Sequence, residues 1–267
     1  MSGPLFARTI VANRTLLLST AIGMVVWGAI LPVIFATFGR EIGAFAQGNP
    51  IFEQFSRFGG GDLFTLPGTV ALGFVHPFTL LVLSIVAIGY PAQAIAGERA
   101  KGTLEVLLAR PISRVRLFAT LFVAGLIFLG VLLALQLATA YASAVVMDVA
   151  DELEAARIVQ LWLAGWLLFV AFMSLTFLAS ALSDRIGPAI GIPLGFVLVN
   201  YLLNAIASIW PDVAWLQDWT MFALVKARTV LDSGIAASDV AILLAFIAVF
   251  VGLTVYLFPR RDIAAPT

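Results

Sequence analysis

The stretch AGERAKGTLEVLLARPISRVRLF, residues 96–118, lies between two long apolar segments and carries seven charged residues. The chain as a whole is far less polar: of its 267 residues, 62% are hydrophobic and 11% are charged. Its mean hydropathy of +1.07 lies well above that of water-soluble domains. The composition therefore indicates an integral membrane protein. The sequence contains no cysteine, which excludes disulfides and thiolate metal sites.

Six apolar segments are long enough to cross a bilayer. A helix needs roughly 20 apolar residues to span a hydrocarbon core of about 30 Å. The predicted spans cover residues 15–38, 69–95, 117–147, 158–182, 186–209 and 240–258. The fold class expected is an all-α polytopic membrane protein with six transmembrane helices.

Basic residues predict how these spans are oriented. Six crossings place both termini on one side of the membrane, and ten of the 15 basic residues fall on that side. Because cytoplasmic loops carry the excess of Lys and Arg, we expect both termini in the cytoplasm and the chain in the cell membrane.

Three segments outside the spans are predicted to lie at a membrane surface. Residues 4–14 have the pattern of an amphipathic interfacial helix on the cytoplasmic side. Residues 39–68 form a Gly-rich stretch with five phenylalanines, which favours a surface helix at the outer interface. Residues 210–239 are too polar to cross but hold three tryptophans, so we expect short re-entrant helices in the outer leaflet.

The charged stretch itself is predicted to contain a short surface helix over residues 97–110. Pro111 would stop this helix, and Ser113 can cap the following one by accepting a hydrogen bond from a free backbone N–H. Lys101 and Glu105 lie one turn apart and can form an ion pair. Leucines recur on one face of the same helix, at Leu104, Leu107 and Leu108.

The order of residues in this stretch, E-x-x-x-G-T-L-E-x-L-L-x-x-P-I-S-R, resembles the signature of the ABC-2 family of ABC-transporter permeases. The matching positions are Glu98, Gly102, Thr103, Leu104, Glu105, Leu107, Leu108, Pro111, Ile112, Ser113 and Arg114. The resemblance implies one transmembrane domain over residues 1–267, with a coupling helix at 97–110. It departs from the family at Thr120 and Leu121, where other members often have a Gly-Lys pair.

The resemblance also implies partners. In such permeases a separate ATPase docks on this loop, and the present sequence has no Gly-Lys dipeptide from which to build a phosphate-binding Walker A loop. We expect two ATPase subunits holding ATP and Mg, a second permease copy or paralogue, membrane lipid, no nucleic acid and no cofactor on this chain. Export is the implied direction. The docking contacts expected are Glu98, Arg99, Lys101, Gly102, Thr103, Leu104, Glu105, Leu107 and Leu108, and the loop is anchored by Pro111, Ser113 and Arg114.

Polar residues within spans are further candidates. Asn200 and Asn204 lie four residues apart on one face of the fifth span, and Gln136 lies in the third. Each can line a substrate path, or can form an interhelical hydrogen bond that holds the bundle together. The single histidine, His76, precedes Pro77, and we interpret it as structural, next to a helix kink.

Two other functions remain open from the sequence. An intramembrane enzyme acting on lipid or peptide would need a titratable pair inside the membrane, and the predicted spans contain none apart from Asp148 and Arg157 at the outer boundary. The motif GGGD at 59–62 falls in a predicted outer loop rather than in a span. A membrane scaffold or sensor subunit would keep the ATPase contact without substrate-dependent ATP turnover.

Overall fold

A computed structural model describes residues 2–46, 65–104 and 112–261, and the regular structure in these ranges is helical. Six helices in these ranges are long and apolar enough to cross a membrane, which confirms the predicted fold class. The helices are α1 (Gly3–Ala12), α2 (Arg14–Ala46), α3 (Leu66–Val75), α4 (Pro77–Ala100), α5 (Arg114–Val146), α6 (Ala155–Leu182), α7 (Ile186–Ile209), α8 (Ala227–Ser233) and α9 (Ala237–Leu257). Short 3₁₀ segments cover Ala150–Glu152, Pro211–Trp219, Met221–Leu224 and Phe258–Arg260.

The spans divide into an inner and an outer set. In α6, 72% of the most apolar 18-residue window is buried, whereas the corresponding window of α9 is 11% buried. The corresponding windows of α4 and α5 are mostly buried, like that of α6, whereas those of α2 and α7 are mostly exposed, like that of α9. The interior is filled by large side chains of α6, including Phe169, Phe172 and Phe177. Helices α2, α7 and α9 therefore present apolar surface that lipid or a partner would cover.

The second span was predicted wrongly at its start. It begins at Pro77 rather than residue 69, and α3 is a separate ten-residue helix. The residue before a proline is disfavoured in the α conformation, and His76 is extended with ψ of 143°. Its Nδ1 accepts a hydrogen bond from the N–H of Phe78 at 3.1 Å, so the histidine caps α4.

The break leaves the carbonyl of Gly73 without its α-helical donor, because Pro77 has no N–H. Three side chains donate to this oxygen: the indole of Trp27 at 3.0 Å, the hydroxyl of Thr79 at 2.7 Å and the amide of Gln136 at 3.2 Å. These bonds tie α2, α4 and α5 together at the break. In lipid such a backbone group must find an internal partner.

Helix α4 also widens around an internal proline. Two π-helical turns, Ile85–Gly89 and Gln93–Gly97, lie on either side of Pro91. The hydroxyl of Ser180 on α6 accepts from the N–H of Ala96 at 2.9 Å and donates to the carbonyl of Pro91 at 2.9 Å. The buried hydroxyl of Ser180 thus bonds to one donor and one acceptor of the α4 backbone at this wide turn.

The surface segments differ in detail from the prediction. The N-terminal helix covers Gly3–Ala12 rather than 4–14, and the N–H of Ser2 donates to Thr120 on α5 at 3.0 Å. Helix α2 continues to Ala46, and the remainder of the Gly-rich stretch, 47–64, lies outside the described residues. Within the predicted segment 210–239, short helices cover Pro211–Trp219, Met221–Leu224 and Ala227–Ser233, and residues 237–239 already belong to α9.

Candidate coupling site beyond the second span

The loop that carries the charged motif begins with a sharp turn after α4. Gly102 has φ of +70°, a conformation that glycine adopts without strain. Its N–H donates to the carbonyl of Arg99 at 2.9 Å, and the N–H of Lys101 donates to Gly97 at 3.2 Å. Helical structure resumes at Thr103, whose hydroxyl donates to a carboxylate oxygen of Glu98 at 2.7 Å.

The predicted helix over 97–110 therefore does not start at Gly97. Residues Glu98–Ala100 are the last turn of α4, and the turn at Gly102 separates them from the next helical residues. The candidates Glu105, Leu107, Leu108 and Pro111 lie outside the described residues, as does the predicted pair of Lys101 with Glu105. The cap predicted at Ser113 is present: its hydroxyl accepts from the N–H of Arg116 at 3.2 Å.

The candidate docking residues that the structure describes face different surroundings. Lys101 and Thr103 are exposed and Glu98 is partly exposed. Leu104 is only 1% exposed and belongs to the protein core, so its side chain is not offered to a partner. Arg99 is also buried.

Arg99 takes part in an ionic cluster that joins several helix ends. Its guanidinium lies 3.3 Å from Asp184, in the turn between α6 and α7. The second oxygen of Asp184 pairs with Arg261, beyond α9, at 2.9 Å. Arg261 also donates to the carbonyl of Ala181 at 3.1 Å. We name Arg99, Arg114, Asp184 and Arg261 the basal cluster.

Arg114 connects this cluster to α5. Its guanidinium donates to the carbonyls of Phe258 at 3.2 Å and Pro259 at 3.3 Å, and to that of Arg261. The last carbonyls of a helix have no partner within the helix, and a cation there also suits the helix dipole. The ends of α4, α5, α6 and α9 are thereby held together next to the loop.

A cavity of about 370 Å³ opens beside the same loop. It is bounded by α1, α4 and α5, with Glu98 and Lys101 in its wall. The other lining residues are Leu5, Arg8, Thr9, Ala12, Asn13, Tyr90, Gln93, Ala94, Leu117 and Leu121.

The candidate path residues on α7 hold the segment that follows it. Asn200 accepts from the N–H of Met221 at 2.9 Å and donates to the carbonyl of Phe196 at 3.0 Å. Asn204 accepts from the side chain of Gln217 at 3.1 Å. Both asparagines are thus engaged in structural hydrogen bonds within the fold.

Gln136 on α5 is engaged at the helix break described above. Its amide nitrogen donates to Gly73 and to the hydroxyl of Thr79 at 2.9 Å. The structure does not bring Gln136 together with the asparagines, since its partners lie at the junction of α3 and α4. These three polar residues therefore do not form one site.

Comparison with models of protein families decides the assignment. Residues 7–263 match the ABC-2 family transporter protein. The chain belongs to the ABC-2 transporter family. As a member of this family it is a multi-pass membrane protein and a permease subunit of an ABC transporter. ABC-2 permeases are generally partnered with ABC ATPase subunits, which are separate chains. No curated protein matches the sequence closely enough to add to this assignment.

The roles of several residues of this ABC-2 permease were not predicted from its sequence. Arg261 entered the prediction only as one of the ten basic residues on the predicted cytoplasmic side, and no role was predicted for Asp184 or Ser180. A signal was present for the charges, because sorting the loops places them on the same membrane side as Arg99. No sequence signal pairs Ser180 with the wide turn of α4.

Proposed function

We propose that this permease is an exporter subunit that works as a dimer, with two ATPase subunits docked on the loop around residues 98–111. The ATPases hold ATP and Mg, and the loop and both termini lie in the cytoplasm. ATP-driven closure of the ATPases moves the loop and shifts the spans between two states. The shift is limited by the difference in ATPase affinity for those states.

The observation that carries this proposal is the basal cluster. A loop that transmits force must be joined to the spans rather than hang from one of them. Arg99 lies in the last turn of α4, where the loop begins, and pairs with Asp184, while Arg114 follows the loop and binds the end of α9. Displacement of either end of the loop is therefore passed to four helix ends through bonded groups.

In this proposal the candidate docking residues have different roles. Exposed Lys101 and Thr103 can contact an ATPase directly, and Glu98 fixes the direction of the loop through its bond to Thr103. Arg99 and Leu104 point into the fold and act as positioning residues. Across the cavity from Lys101 lie Thr9 of α1 and Asn13, which follows α1.

The test is co-purification of the tagged chain from its own host in mild detergent, followed by mass spectrometry of stoichiometric partners. We expect an ATPase with a Walker A loop, and its loss from the double variant Glu98→Ala with Glu105→Ala. The variant Asp148→Asn, beyond the opposite end of α5, is the matched control and should retain the ATPase.

Recovery of the unaltered chain without any ATPase would contradict the proposal. An ATPase retained by the double variant would remove the role of this loop in docking. Export is tested separately by substrate-dependent ATP turnover of the complex in proteoliposomes, where a scaffold subunit would give no stimulation.

A further inference from the structure

The cavity beside the loop has one apolar wall. Leu117 and Leu121 of α5 and Ala94 of α4 face Leu5 of α1 across it. Tyr90 contributes its ring, because its hydroxyl is already bonded to the carbonyl of Leu121 at 2.7 Å. This wall offers carbon surface and suits hydrocarbon rather than water.

The rim of the cavity is cationic. Arg8 of α1 and Lys101 after α4 both line it and both are exposed. Neither forms an ion pair with any residue of the ranges 2–46, 65–104 and 112–261. The one acid of the lining, Glu98, accepts a hydrogen bond from Thr103. The rim therefore carries a net positive charge.

From these two features we propose that the cavity binds a glycerophospholipid of the adjacent leaflet, with its phosphate between Arg8 and Lys101 and its first acyl carbons against Leu117 and Leu121. Paired basic side chains at a membrane surface attract lipid phosphates. A volume of about 370 Å³ exceeds what a free phosphate fills and lies in the range of small-molecule sites. The apolar wall accounts for the acyl part, which a free phosphate lacks.

The position of α1 agrees with this assignment. The helix packs against the core through Leu5 and Phe6 and is tied to α5 at its start through Ser2 and Thr120, and the cavity lies where α1 comes near α4 and α5. A lipid in the gap would join α1 to the spans. The proposal does not depend on the docking of an ATPase, since it concerns the permease and the bilayer alone.

The experiment titrates the purified full chain in detergent with phosphatidylglycerol and counts bound lipid by native mass spectrometry. We expect a bound lipid whose affinity falls at least about tenfold in the double variant Arg8→Gln with Lys101→Gln, because two charge-assisted contacts are lost. The control is Arg14→Gln, which removes one positive charge close to Arg8 from a residue that does not line the cavity.

A second variant separates the cavity from surface charge. Ala94→Phe places a ring in the cavity and alters no charge, and we expect it to lose the lipid as well. Unchanged binding in both the double variant and Ala94→Phe would overturn the proposal. Equal loss in Arg14→Gln would overturn it too, because it would indicate unspecific surface attraction.

Inorganic phosphate is the probe for the other source of the same chemistry. We expect millimolar phosphate to displace phosphatidylglycerol only weakly, since it gains nothing from the apolar wall. Binding of phosphate as tight as that of the lipid would overturn the assignment to a lipid. Size-exclusion profiles of every variant should match that of the unaltered chain, so that loss of binding is not loss of folding.

Discussion

The crossing of α2 and α5 gives the sharpest test of the packing, at Gly28. A Cβ atom added there would lie 2.2 Å from the carbonyl oxygen of Gln136 and 2.4 Å from the hydroxyl of Thr139. The first distance is about 1.2 Å short of the 3.4 Å at which ordinary contact begins. The obstacle is backbone, which no change of rotamer relieves. Small residues permit such close approach between membrane helices.

We therefore expect Gly28→Ala to push α2 away from α5. Overpacking of this kind costs about 1–3 kcal/mol, and occasionally more. The substitution also gains about 1 kcal/mol of helix propensity, which hides part of the cost. Separation of the helices would in addition lengthen the bond of the neighbouring Trp27 to Gly73, now 3.0 Å.

The matched control is Gly23→Ala in the same helix. Its added Cβ would meet only a ring carbon of Phe78, at 3.5 Å, which is ordinary contact. Both variants gain the same helix propensity, so their difference reports the clash alone. Thermal unfolding in detergent should place Gly28→Ala below Gly23→Ala, by about 2–4 °C for each kcal/mol in a chain of this size. Equal melting temperatures of the two variants would refute the close approach of α2 and α5.

Three further predictions concern the break, the wide turn and the loop. Ser180→Ala should destabilise the fold by about 1–3 kcal/mol, because it removes the buried bonds from α6 to the N–H of Ala96 and the carbonyl of Pro91; Ser174→Ala, which removes only a bond to a carbonyl of its own helix, should change the melting temperature much less. Gly102→Val should weaken ATPase docking, since a left-handed conformation costs an ordinary side chain about 1–2 kcal/mol, whereas Gly102→Asn should bind almost normally; equal docking by both variants would exclude a need for positive φ. His76→Ala should destabilise the fold by about 0.5–2 kcal/mol, because it removes the side chain that accepts from the N–H of Phe78 and caps α4. Equal melting temperatures of His76→Ala and the unaltered chain would contradict this capping role.

The long apolar helices were predictable because a segment that crosses lipid must be apolar and must satisfy its backbone hydrogen bonds internally. Length and hydropathy alone place α5, α6, α7 and α9 to within about three residues of the structure, since a span of apolar residues has one stable conformation in a bilayer. The error fell on the second span. Hydropathy is uniform across residues 69–95, and what divides them is the missing N–H of Pro77. The proline was visible, but the size of its effect depended on Trp27, Thr79 and Gln136, which are distant in sequence.

The candidate site was predictable at its ends and not in its interior. The cap at Ser113 follows from local residue order, and it is present. The interruption at Gly102 also had a local signal, a glycine followed by a threonine, yet the charged run favoured one continuous helix. In contrast, the burial of Arg99 depends on Asp184 and Arg261, which lie 85 and 162 positions away in sequence.

The basal cluster explains why a chain with few charges places so many beside one loop. A buried guanidinium is costly unless it is paired and hydrogen-bonded, so Arg99 would be disfavoured if it served only as a topological anchor. The guanidinium groups of Arg114 and Arg261 donate hydrogen bonds to carbonyls at helix ends, which apolar side chains could not do. Asp184 joins Arg99 at the end of α4 to Arg261 beyond α9, and its removal would leave Arg99 buried without this partner. The basal cluster thus fixes the ends of four spans against one another. Lys101 and Thr103 are not part of it and remain exposed, where a partner or a lipid can bind them.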